Sequence, residues 1–138
     1  MRRFLNAVAV LLFIIPLGLA VRFAPLHLPW FLYKYLGSCL WAAALCWFLA
    51  ALFPRLAPGA LAAIAAVIAL AVELSRLVPI PAVDAFRLTL AGRILLGRYF
   101  SLKNIAAYWI AIAASALLDR YLLFDRGRSA GGKPQSDV

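Results

Sequence analysis

Four long apolar segments, residues 4–21, 36–53, 60–77 and 102–123, divide this chain of 138 residues. Each has about the length that crosses a ~30 Å hydrocarbon core as a helix. The chain is 67% hydrophobic, against about 45–50% in soluble globular domains. A core this small cannot bury that excess from water, so lipid is the natural solvent. Backbone amides in lipid must bond within their own segment, which selects helices. The expectation is an all-α integral membrane protein. It is a four-helix transmembrane bundle forming one domain over 1–124, with a disordered tail over 125–138. A formal charge of +9 suits ends and loops that meet anionic headgroups. Nucleic-acid binding is not expected, because the cations are scattered among spans rather than gathered on one soluble face.

Arg2 and Arg3 precede the first segment, an arrangement shared with signal peptides. The apolar run is long for one, so an uncleaved first span is preferred. Pro16 is expected to kink it, because proline lacks the amide donor and crowds the preceding turn. Arg22 to Tyr35 reads as a loop interrupted by Pro25 and Pro29. There Trp30, Tyr33 and Tyr35 form an interfacial aromatic belt. Pro54 to Gly59 is a tight turn, making spans two and three an antiparallel hairpin. Ala82 to Phe100 is too charged for a span and too apolar for a free loop. At 100° per residue Asp84, Arg87 and Arg98 share a face, but Arg93 does not. Gly92 and Gly97 are therefore expected to break it into short interfacial or re-entrant pieces between helices 3 and 4.

Small residues recur at helical spacing: Cys39, Ala43, Cys46 and Ala50, then Ala62, Ala66 and Ala69, then Ala107, Ala111, Ala114 and Ser115. Such faces let helices approach closely in lipid. The two cysteines read as packing residues of this kind. Glu73 continues the second stripe and should point inward. With four spans, both termini share one face. The opposite face then collects Arg22, His27, Lys34, Arg76, Asp84, Arg87, Arg93, Arg98 and Asn104. Lysine and arginine divide seven to seven between the faces, so the positive-inside count is a tie. The basic ends favour cytoplasmic termini.

A carboxylate near lipid needs a partner. Arg76, three residues after Glu73, shares its helix face, and Arg87 is a second candidate. They make either a charged pocket with the arginines clamping an anion, or an ion pair that only fixes the rim. Asp84 either joins that pocket or caps a short helix after Pro81. Arg93 and Arg98 each follow a glycine, and at least one should snorkel to headgroups. Asn104 and Tyr108 begin span four and look toward the same rim, where hydrogen bonding between helices is their simplest role. His27 reads as interfacial packing. No metal-ligand cluster, nucleophile elbow or phosphate-binding glycine loop is present, and no cofactor or catalytic residue is assigned.

Several stretches together resemble a known family. They are Leu28-Pro-Trp-Phe with Lys34-Tyr-Leu-Gly37, Phe53-Pro-Arg55, Glu73-Leu-Ser-Arg76, Pro81-Ala-Val-Asp-Ala-Phe-Arg87, Gly92 to Ser101, and Asn104 with Ala107-Tyr108. The chain resembles small bacterial four-span membrane proteins of unknown function and, more distantly, the VanZ-like proteins, over about residues 1–120. In that pattern Gln usually stands at position 76 and Asp at 104. Asn104 therefore argues against a proton relay. The resemblance implies a cell-envelope setting in the bacterial inner membrane, since VanZ-like proteins are associated with glycopeptide resistance, and implies no reaction.

The functional expectation is non-catalytic binding of an anionic lipid headgroup or lipid-linked envelope precursor. The ligand-binding set is Glu73, Arg76, Asp84, Arg87, Arg98, Asn104 and Tyr108. Membrane lipids are the expected partners, with a homodimer as a further one. The alternatives are a small homodimeric proton-coupled transporter using Glu73, and an intramembrane transferase using Glu73 or His27.

Overall fold

A computed structural model describes residues 1–121 except 26, 28 and 98. The described residues form six helices and no strands. They are α1 (Arg2–Phe23), α2 (Trp30–Leu52), α3 (Pro58–Leu74), α4 (Pro81–Leu88), α5 (Leu90–Leu95) and α6 (Leu102–Asp119). Three of them, α1, α2 and α6, are long and apolar enough to cross a membrane. α3 is apolar but has 17 residues, about 25 Å at the α-helical rise, a little under a bilayer's hydrocarbon thickness. The expected disordered tail lies outside the described residues.

Prolines set several boundaries. Pro58 and Pro81 sit in the first turns of α3 and α4, where a missing amide costs no helical bond. Pro29 occupies the N-cap of α2. The expected loop from Arg22 to Tyr35 is consequently much shorter: α1 runs on through Phe23 and α2 starts at Trp30, leaving residues 24–29. Trp30, Tyr33 and Tyr35 lie in the first two turns of a helix rather than in a loop. His27 turns the corner at a φ of 50°, in the left-handed region that L-residues seldom occupy.

α2 is the central helix, packing against α1, α3 and α6, while α3 also packs against α6. The core is built from Ala42, Cys46, Trp47, Leu49 and Ala50 of α2, Leu61, Ala65 and Ala69 of α3, and Tyr108 and Ile112 of α6, with Ala7 of α1. Small residues do line these seams, but on faces rotated slightly from those expected. The buried stripe of α3 is Leu61, Ala65, Ala69 and Glu73, with Ala62 and Ala66 beside it. On α6, Ala114 is exposed and Ile112 takes the inward place.

The connection between α3 and α6 is broken, but not at Gly92. Thr89 ends α4 and caps α5, its Oγ1 accepting from Gly92 N at 3.0 Å. Gly92 lies inside α5, where a Cβ would come within 1.9 Å of the Phe86 carbonyl oxygen. Its role is to let α5 fold tightly back onto α4. Gly97 is a genuine break, with φ of 67°.

Two polar clusters pin opposite ends of the bundle. At one end, buried Arg3 pairs with buried Asp119. It also donates to the carbonyls of Pro54 at 2.8 Å and Leu56 at 2.6 Å. That cluster ties the start of α1 to the α2–α3 turn and the end of α6. The other end carries Glu73 and the polar rim.

Candidate functional site

Glu73 is fully buried at the end of α3. Its Oε2 accepts from Arg76 Nη1 at 2.5 Å and from Tyr108 Oη at 3.1 Å. Its Oε1 accepts from the Ser101 backbone amide at 2.7 Å and from Asn104 Nδ2 at 3.5 Å. A carboxylate taken out of water needs such donors, because desolvation otherwise outweighs any single attraction. The four donors come from the turn after α3, the 96–101 segment and α6, so one side chain gathers the whole rim.

Arg76 extends the cluster. Its Nε donates to Leu96 O at 2.6 Å and Nη1 to Tyr99 O at 3.0 Å. Its guanidinium lies against Gly97, where a Cβ would approach Nη2 to 2.6 Å. The positive φ and this close approach both require glycine at 97. The two departures from the resembled pattern make electrostatic sense together. Arg76 adds a cation beside Glu73, and Asn104 supplies a donor where aspartate would set a second anion.

Asp84 and Arg87 form a separate group. Arg87 is buried, pairing with Asp84 at 2.6 Å and donating to Ser75 Oγ at 2.8 Å. Ser75 Oγ in turn donates to Val72 O. The group anchors α4 on the end of α3, and Arg87 does not partner Glu73. Arg98 lies outside the described residues. The sequence-derived set is therefore split: Glu73, Arg76, Asn104 and Tyr108 meet, while Asp84 and Arg87 meet elsewhere.

Beside the Glu73 cluster opens a cavity of about 420 Å³. Arg22, Lys34, Arg76 and Arg93 supply its charge, and Trp30, Tyr33, Trp41, Tyr99 and Tyr108 its aromatic surface. Among the described residues no carboxylate lines it. Arg76 is neutralised by Glu73, but Arg22, Lys34 and Arg93 have no carboxylate partner among the described residues. The Lys34 ammonium sits 5.1 Å from the Trp30 ring centre, a cation–π placement. Arg22 Nη2 donates to Arg93 O at 2.9 Å, and Tyr33 Oη to Arg22 O. These bonds join the end of α1 to α2 and α5. Glu73 and His27 are not on the cavity wall.

Sequence reasoning placed Arg22, Lys34 and Arg93 on this face but not in a site. The usable signal was the absence of any acid three or four residues from them. Asp119, the partner of Arg3, carried no local signal, since its cation is 116 positions away.

The fold and site thus define a helical protein whose longest helices suit a membrane, with a cationic chamber at one end of its bundle. Residues 27–112 match the family described as "Protein of unknown function (DUF2809)". That is well over half of the chain, and the protein belongs to this family. No solved structure matches it.

Proposed function

We propose that this is a non-catalytic membrane protein that holds an anionic lipid headgroup, or the headgroup of a lipid-linked envelope precursor, in the chamber at the rim. The carrying observation is a cavity lined, among the described residues, by four cations and five aromatic residues with no carboxylate. Arg22, Lys34 and Arg93 are its principal anion-binding groups, with Arg76 and Glu73 fixing the wall behind them. Of the sequence-derived clamp of Arg76, Arg87 and Arg98, Arg76 lines the chamber, Arg87 instead binds Asp84 and Ser75 away from its wall, and Arg98 lies outside the described residues. Glu73 lies off the cavity wall with four donors on its oxygens. Its position lends no support to a coupling carboxylate or a transferase base.

The proposed setting is the bacterial inner membrane, in line with the resemblance to VanZ-like proteins, with α3 as a fourth span and with both termini cytoplasmic, as the basic ends favour. The test is native mass spectrometry of the purified protein. Wild type should retain an anionic lipid, and Lys34→Gln/Arg93→Gln should lose about tenfold in retention. Arg55→Gln, which removes a cation at the opposite end, should retain it. Equal retention by all three proteins would refute the assignment.

A further inference from the structure

Next to the cationic chamber lies a second, apolar cavity of about 470 Å³ along the α1–α2 seam. The two share Arg22, Gly37, Trp41, Ile94 and Leu95. Away from that junction the second cavity is walled by apolar side chains such as Leu11, Ile14, Leu40 and Phe48. Its extent along α1, from Arg22 back to Leu11, is roughly 16 Å at 1.5 Å per residue. That is about the depth of one leaflet, half of a ~30 Å hydrocarbon core. The seam is open because α1 packs chiefly on α2 and buries only Arg3, Ala7 and Val21.

Gly37 stands where the two cavities meet. A Cβ there would meet nothing within 4 Å. Helix packing does not require this glycine, which instead keeps a gap of side-chain size at the junction. Charge at one end, an apolar trough one leaflet deep at the other, and open space at Gly37 on the wall they share match an amphipathic anion. Ordinary annular lipid would need no passage into a cationic chamber.

Building on the headgroup reading, we propose that the ligand is a lipid bound inside the protein. Its anionic headgroup sits among Arg22, Lys34 and Arg93. Its apolar chain passes Gly37 and lies in the α1–α2 groove. Arg22, which lines both cavities, marks the boundary between head and chain.

The experiment uses the full chain in neutral detergent and native mass spectrometry with three probes: phosphatidylglycerol, phosphatidylcholine and glycerol 3-phosphate. Gly37→Leu fills the passage with a side chain that open space accepts, on a helix that favours leucine over glycine. Ala44→Phe, deeper in the groove, is the second variant should the first not fold. Wild type should retain phosphatidylglycerol over phosphatidylcholine and hold glycerol 3-phosphate only weakly. Either variant should retain about tenfold less phosphatidylglycerol. Wild-type retention by both variants, with loss in Lys34→Gln/Arg93→Gln, would overturn the chain site and leave the headgroup reading standing. Equal retention of both lipids by wild type and by Lys34→Gln/Arg93→Gln would refute the headgroup reading and this inference with it. A lipid-free dimer that Gly37→Leu dissociates would overturn the inference by making a second copy the groove's occupant.

Discussion

Glu73 accepts from four donors and meets no water, and Arg76 beside it is nearly as buried. Removing one member of such a pair strands the other, at a cost of about 3–5 kcal/mol, whereas replacing both can be close to neutral. Glu73→Gln should therefore destabilise the protein by about 3 kcal/mol in detergent unfolding. Glu73→Gln/Arg76→Gln should recover more than half of that loss. If the double variant were the sum of the two singles, the pair would be uncoupled and the reading wrong. The Glu73–Arg76 relation was legible in the sequence because three-residue spacing brings both to one side of a helical turn, and the turn after α3 keeps that spacing. Tyr108 was legible as a residue of the same rim, but neither the Ser101 amide nor Tyr108 itself was legible as a partner of Glu73. They reach Glu73 across 28 and 35 positions, through tertiary packing that no local pattern encodes.

Among the elements, the α4–α5 corner decides whether the chamber has a wall, since Arg93, Ile94 and Leu95 all sit on α5. Composition announced a polar, interrupted stretch here, and that much was readable. The place of the break was not. Glycine signals a turn only when backbone freedom is what it provides, as at Gly97. At Gly92 the same residue serves closeness, and a Cβ would collide with the backbone of Phe86. The break falls to Thr89, whose hydroxyl can cap the new helix. Gly92→Ala should force α5 off α4, an overpacking worth about 1–3 kcal/mol. Amide exchange over residues 81–96 should accelerate roughly tenfold or more while α2 and α6 keep their protection. Unchanged exchange in that stretch would show that the corner tolerates the methyl group.

At the scale of the molecule, the buried Arg3–Asp119 pair joins the beginning of α1 to the end of α6, and Arg3 also holds the α2–α3 turn. The start of α1, the end of α6 and that turn therefore share one side. The Glu73 cluster, the chamber and the α4–α5 corner occupy the other. Long apolar runs made α1, α2 and α6 readable from sequence. α3 is the element on which topology turns, because its 17 residues are short for a span and its polar end is rescued only by Arg76 and the rim. With Glu73 satisfied from within, the helix has no stranded charge to keep it out of the bilayer. We therefore expect it to cross, with slight local thinning accommodating its length. Single cysteines can be placed at Arg2→Cys, Arg55→Cys or Thr89→Cys in a Cys39→Ser/Cys46→Ser background. A membrane-impermeant maleimide applied to sealed vesicles of one orientation should treat positions 2 and 55 alike and position 89 oppositely. If α3 instead lay along the surface, positions 55 and 89 would label together. Three crossings would then put Asp119 on the opposite side from Arg3 and break the pair that joins them.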